Sequence, residues 1–270
     1  MMAPQRHPVI LVHGWNSHPG VWNRLLPRLT EAHIPFWRFD HSTMKRSDIV
    51  EIATLLQGYI SDIRQDTGFG GSFDIICHSM GTAIVRYFLE VRDGPSHNEQ
   101  VRQLIGLGPP NNGSALAELF HHPEYGSQII DQLTGIFVPP GFDPSSDRIV
   151  QDCRPHSSAM QDLRRSGLRS DITYRVIVSA NPEGFTEFFP IFGGETWDLS
   201  PDGTPCKTRS GDGVVSHLDS LLPGVSLDII PAGLDDDENL SSPHLYCHIN
   251  LPKNPIVIDR IMHYLEMDQQ

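Results

Sequence analysis

Two spacings of apolar residues alternate along this chain of 270 residues. One is the short unbroken run, as in Val9-Ile10-Leu11-Val12. A β-rich run without polar interruption marks a strand buried on both faces. The other recurs every three or four positions. Ile49, Ile52, Ala53, Leu56, Tyr59, Ile60 and Ile63 draw one apolar stripe, the pattern of a helix laid on a core. Ser47 stands where a cap is wanted, and Gly68 stands where such a helix stops. The same patterns predict strands at 8–12, 34–39, 72–77, 101–107, 172–179 and 225–230, and helices around 21–32, 47–67, 81–92 and 254–267. Strands alternating with helices predict an α/β fold, a mostly parallel sheet covered on both faces. The length fits one such domain over 1–270.

Two stretches break the alternation. Residues 115–169 carry helical patches and the Pro-rich run Val138-Pro139-Pro140-Gly141-Phe142-Asp143-Pro144. Residues 181–210 are rich in Gly, Pro and aromatic residues with no clear period. Loops of that length inside a domain are usually functional or mobile, so both are expected as inserted lid or pocket segments. In the second, Phe185, Phe188, Phe189, Phe192 and Trp197 cluster ahead of a candidate acid. They are expected either to line an acyl site or to form a satellite core under a long loop.

The chemistry starts at Cys77-His78-Ser79-Met80-Gly81, between a strand pattern and a helix pattern. A serine on a tight strand-to-helix turn is pushed out of the sheet with its hydroxyl exposed. Such a turn needs small residues two before and two after the serine. Gly81 meets that need, and Cys77, where glycine is usual, is small. A serine hydroxyl also needs a histidine to take its proton and an acid to orient that histidine. Asp212 lies between two glycines in Ser210-Gly211-Asp212-Gly213-Val214-Val215-Ser216, ahead of the last strand. Asp198, Asp202 and Asp219 are the alternatives. The base is His248 or His244, and His248 is favoured because it sits between the last strand and the last helix. The four-residue spacing of these histidines would suit a metal pair on a helix. Pro243 and Pro252 argue against a helix there, and no third ligand stands at a convincing spacing. Val12-His13-Gly14-Trp15 ends the first strand and is the expected oxyanion loop, with the backbone N–H groups of Trp15 and Met80 as donors.

Composition narrows the partners. Twenty Lys and Arg against 33 Asp and Glu leave a net charge of −13. That disfavours nucleic acid and anionic membranes, and suits an uncharged ester or lipid whose carboxylate product is repelled. No run reaches the length of a membrane span, and the first residues show no signal-peptide pattern. A cytoplasmic location is therefore expected, or a secreted one if a presequence was removed. Four cysteines do not make a disulfide framework, although Cys153 and Cys206 lie in loop-like stretches that a bridge could join. Asp235-Asp236-Asp237-Glu238 reads as a solvated loop rather than a cation site.

Together these motifs resemble the bacterial serine lipases and esterases of the α/β-hydrolase superfamily. The resemblance spans nearly the whole chain. It rests on the strand ending in His13-Gly14-Trp15, the Ser79 turn, Gly108-Pro109-Pro110-Asn111-Asn112-Gly113-Ser114, Gly211-Asp212-Gly213 and His248-Ile249-Asn250-Leu251. It implies carboxylic-ester hydrolysis through an acyl-enzyme on Ser79, with no organic cofactor. Some lipases of this kind carry a structural calcium or zinc ion, for which no full ligand set is mapped here. A thioesterase, amidase or acyltransferase would use the same triad. A non-catalytic binding scaffold usually lacks one triad member, and this chain offers all three.

Overall fold

The computed structural model describes residues 6–232 and 242–267. The acidic run from Asp235 to Glu238 lies outside the described residues. The strands are β1 (Val9–Val12), β2 (Phe36–Phe39), β3 (Phe73–His78), β4 (Val101–Leu107), β5 (Thr173–Ala180), β6 (Thr196–Leu199), β7 (Pro205–Thr208) and β8 (Leu227–Pro231). Six of them form one sheet in the order β2-β1-β3-β4-β5-β8, and every pairing in it is parallel. This is the sheet of an α/β-hydrolase. All residues of β1 and β3 are buried, β1 as an unbroken apolar run and β3 with its one acid, Asp74, paired to Arg102. From β1 the chain builds outward to β2, then crosses back to β3 and continues the other way. That reversal leaves a crevice outside the C-terminal ends of β1 and β3, where open α/β sheets bind their ligands.

The helices are α1 (Leu25–Glu31), α2 (Ile49–Thr67), α3 (Gly81–Arg86), α4 (Ala115–Leu119), α5 (Gly126–Leu133), α6 (Arg148–Asp152), α7 (Ser158–Ser166), α8 (His217–Ser220) and α9 (Pro255–Met267). α2 buries Ile49, Ile52, Ala53, Leu56, Ile60 and Ile63, the stripe read from the spacing. Its cap is Asp48 rather than Ser47. The Asp48 carboxylate accepts from the Glu51 amide at 2.8 Å, and the Glu51 carboxylate accepts from the Asp48 amide at 3.4 Å. That reciprocal pair satisfies two amides the helix leaves free.

Other departures have local causes. The helix expected at 21–32 divides into a 3-10 turn (Pro19–Trp22) and α1, since Pro27 has no N–H and fits only the first turn of a helix. The last strand begins at Leu227, because the Val225 amide closes a Pro223-Gly224 turn onto the Leu222 carbonyl. In the segment read as aperiodic, β6 and β7 pair as an antiparallel hairpin. Its turn carries Asp202-Gly203, a hairpin signal between two short strands.

Candidate active site

Ser79 follows the last residue of β3 and adopts φ +54°, a left-handed conformation rare outside glycine. Its amide donates to the Leu107 carbonyl and its carbonyl accepts from the Thr82 amide, both at 2.9 Å. These bonds hold the strand-to-helix turn tight. A Cβ at Gly81 would lie 2.4 Å from the His13 carbonyl oxygen, so only glycine fits there. Cys77 is fully buried, and its register partner in β4 is Gly106, which presents no side chain beside the thiol. Burial pushes that thiol well above its ordinary pKa, so it stays protonated and inert.

The Ser79 hydroxyl meets His248, with Oγ 2.9 Å from Nε2. His248 Nδ1 donates to Asp212 Oδ2 at 2.7 Å. That bond fixes the tautomer, leaving Nε2 with a lone pair for the hydroxyl proton. Asp212 is 1 % exposed, and its other oxygen accepts from the Val214 and Val215 amides at 3.0 and 2.7 Å. The base and acid loops are joined by backbone as well, the His248 amide donating to the Asp212 carbonyl at 2.8 Å. His78 Nε2 donates to the His248 carbonyl at 3.0 Å, which ties the base loop to the serine turn. Gly108 packs against all of this. A Cβ there would stand 2.4 Å from Asp212 Oδ2 and 3.0 Å from His248 Nδ1. Three loops separated along the sequence thus bring a hydroxyl, an imidazole and a carboxylate into one relay. This is the Ser-His-Asp triad of serine ester hydrolases.

The alternatives lie elsewhere. His244 sits in the 3-10 turn Pro243–Tyr246, outside the relay. Asp202 is exposed and accepts from Ser200 and Thr204 in the hairpin turn. Asp198 accepts from the Leu199 amide. Asp219 is buried and accepts from the Ala115 amide at 2.9 Å. Burial, then the nearby Asp198 and Asp212 charges, push its carboxyl up to about 8. A carboxyl that is neutral at pH 7 could not stabilise an imidazolium.

Trp15 and Met80 border the cavity onto which Ser79 opens. Two histidines brace the loop that carries Trp15. The His13 carbonyl accepts from His41 Nε2 at 2.9 Å, His13 Nε2 accepts from the His41 amide at 3.2 Å, and the two rings stack at 3.8 Å. Burial holds both imidazoles below their ordinary pKa, His41 at about 4. Burial thus favours the neutral form of both stacked rings. His41 had no signal in the sequence, because its partner lies 28 positions away.

The cavity measures about 470 Å³, within the range of small-molecule sites. Its apolar lining includes Leu116, Phe120, Ile136, Phe137 and Val150 from 115–169, together with Val21. None of Phe185, Phe188, Phe189, Phe192 and Trp197 lines it. Phe188, Phe189 and Phe192 are buried in the main core, with Phe185 and Trp197 packed against it. Of the two expectations for these rings, the packing matches the core cluster, and the apolar side chains at the cavity come from the other inserted segment. All four cysteines are free, with Cys153 buried and Cys206 exposed, so the two are not bridged. Among the described residues no group of three or more His, Cys, Asp or Glu side chains could hold a metal ion, and no helix is long and apolar enough to cross a membrane.

Fold and site together define an α/β-hydrolase with a serine triad. Residues 2–163 match a family described as a domain of unknown function, DUF7379, and the chain belongs to that family. Among curated protein sequences none matches significantly. Solved structures of the same fold include the mature lipase of Bacillus licheniformis, at TM-score 0.67 and 17% identity, covering 97% of this chain and 93% of that one. The phospholipase PlaB of Legionella pneumophila superposes at TM-score 0.64 and 18% identity, with 97% of this chain matched to 60% of PlaB. A metagenomic carboxyl esterase superposes at TM-score 0.60 and 14% identity, over 98% of this chain and 77% of its own. At such identities the likeness is one of fold.

Proposed function

We propose that this protein hydrolyses uncharged carboxylic esters of apolar acyl groups through an acyl-enzyme on Ser79. One observation carries the reading, the Oγ–Nε2 contact of 2.9 Å backed by the 2.7 Å bond to Asp212. Ser79 attacks the ester carbonyl as His248 takes its proton. The charge that develops on the carbonyl oxygen is received by the Trp15 and Met80 amides, of which the second lies at the positive end of α3. His248 then protonates the leaving alcohol and activates water for deacylation. The apolar cavity beside Ser79 supports an acyl rather than a charged group in that space. The kinship in fold to a lipase and a carboxyl esterase points the same way.

The test is a panel of p-nitrophenyl esters from short to long acyl chains, run beside an emulsified triglyceride. Ser79→Ala should lower kcat by about 10⁶. Near wild-type turnover in that variant would remove the proposal. Faster turnover of the matched thioesters or amides would move the substrate class there.

A further inference from the structure

The loop that carries Trp15 is held by the inserted segment 115–169. Trp15 Nε1 donates to Asp147 Oδ2 at 3.0 Å, although the two residues are 132 positions apart. Asp147 Oδ1 accepts from the Val150 amide at 3.0 Å, so the same carboxylate caps α6. α6 is itself fixed to the start of α2. Arg148 pairs with Glu51 at 2.8 Å and with Asp48, and the Asp152 carboxylate accepts from the Ile49 amide at 2.9 Å. The indole also meets Phe137 and Phe142 edge-on, at 6.2 and 5.4 Å between centroids. The next residue, Asn16, adopts φ +46° and donates from Nδ2 to the Phe137 carbonyl at 2.7 Å.

We propose that Asp147 is a positioning residue, which sets the place of the Trp15 amide and through it the stabilisation of the oxyanion. The inference rests on the reading of the Trp15 and Met80 amides as the oxyanion donors. An amide that must stay free for the transition state cannot anchor its own loop. The loop lies beyond the end of β1, where the ladder no longer holds it. The indole supplies the anchor, and Asp147 joins it to α2 through a short rigid helix. A donor preorganised in this way needs no rearrangement when the charge appears.

Asp147→Ser separates the tether from the cap, since a serine hydroxyl can cap α6 but is too short to reach the indole. Trp15→Phe removes the indole N–H and leaves the backbone amide. Each variant should lose about 10- to 50-fold in kcat, less than the 10²–10³ for deleting a donor outright. KM should stay within about twofold, because the donor acts on the transition state. The double variant should lose no more than either single one. Affinity for a trifluoromethyl ketone, whose adduct places an oxyanion in the same position, should fall in parallel with kcat/KM, while the melting temperature of Asp147→Ser stays near wild type. A purely structural role would lower the melting temperature without this split between kcat and KM, and would overturn the proposal. So would kcat within about twofold of wild type in both single variants, or additive losses in the double. Ser79→Ala separates the two readings. If it is dead while Asp147→Ser is fully active, only the positioning role falls.

Discussion

The two inserted segments, 115–169 and 181–210, interrupt the same sheet and do opposite work. The first faces the cavity, and its small helices present apolar side chains such as Leu116, Phe120 and Val150 to the open space. The second turns its rings inward, with Phe188 and Phe189 no more than 2 % exposed. It backs the catalytic acid. Thr196 Oγ1 in β6 accepts from the Gly213 amide at 2.7 Å, and a Cβ at Gly213 would lie 2.6 Å from the Phe189 ring. Asn181 closes the base of this segment through the Phe185 and Gly194 carbonyls, at 2.9 and 2.7 Å. One segment therefore lines the cavity beside Ser79, and the other backs the turn that carries Asp212. Aromatic content alone does not mark a substrate wall.

The division breaks most visibly at Phe189. Phe189→Ala removes a buried ring that also meets Phe192 at 5.4 Å, and should cost about 3–5 kcal/mol of stability. The acid turn loses its backing, so kcat should fall as well. The ratio of kcat/KM for octanoate over butyrate p-nitrophenyl esters should not move. Denaturant melts and that ratio, measured on one preparation, check both halves. A shifted ratio would return the second segment to the substrate.

The parts legible in the sequence were those whose determinants are local. β1 is an unbroken apolar run, β3 is apolar at Phe73, Ile75 and Ile76, and the serine turn needs only Gly81 and a strand before it. The order of Ser79, Asp212 and His248 along an alternating fold places all three at one rim. The parts that escaped depend on partners far along the chain. Asp147 and Trp15 meet across 132 residues, and nothing near either position announces the bond. Only 181–210 lacks a period, and the helical patches of 115–169 say nothing about the cavity, so which segment walls it follows only from packing. The cap of α2 moved by one residue because Ser47 and Asp48 are both good caps, and the Glu51 partner selects Asp48.

A smaller effect tests how the first segment is rooted. Asp219 accepts from the Ala115 amide at the start of α4, and its backbone carbonyl accepts from Asn112 at 2.8 Å. Its carboxyl keeps a proton to about 8 when folded, against 3.8 for the unperturbed group. The folded state thus binds more protons than the unfolded state between these values, and stability falls as pH rises through that window. The loss, on the order of a few kcal/mol, is complete above about pH 8. Asp219→Asn cannot ionise and can still accept from Ala115. Its melting temperature should be flatter than wild type from pH 5 to 9 and should overtake it at the alkaline end. Parallel curves would show that Asp219 is charged when folded.

The smallest effect sharpens the comparison from the cavity side. Ile136 lines the cavity and is still 50 % exposed, so it sits at the mouth, where the proposed reading expects a longer acyl chain to meet it. Removing an exposed side chain should change stability by no more than about 0.5 kcal/mol. Losing its contact with a long chain should cost about 1 kcal/mol in the transition state for octanoate and nothing for butyrate, at roughly 0.8 kcal/mol per buried methylene. Ile136→Ala should therefore lower the octanoate-to-butyrate ratio by about fivefold at unchanged melting temperature, the converse of Phe189→Ala. The pair forms a double dissociation. Stability without selectivity belongs to 181–210, and selectivity without stability belongs to 115–169. If Ile136→Ala leaves the ratio where it was, the acyl chain does not leave through that mouth, and the wall assigned to the first segment must be sought deeper, at Phe120 and Val150.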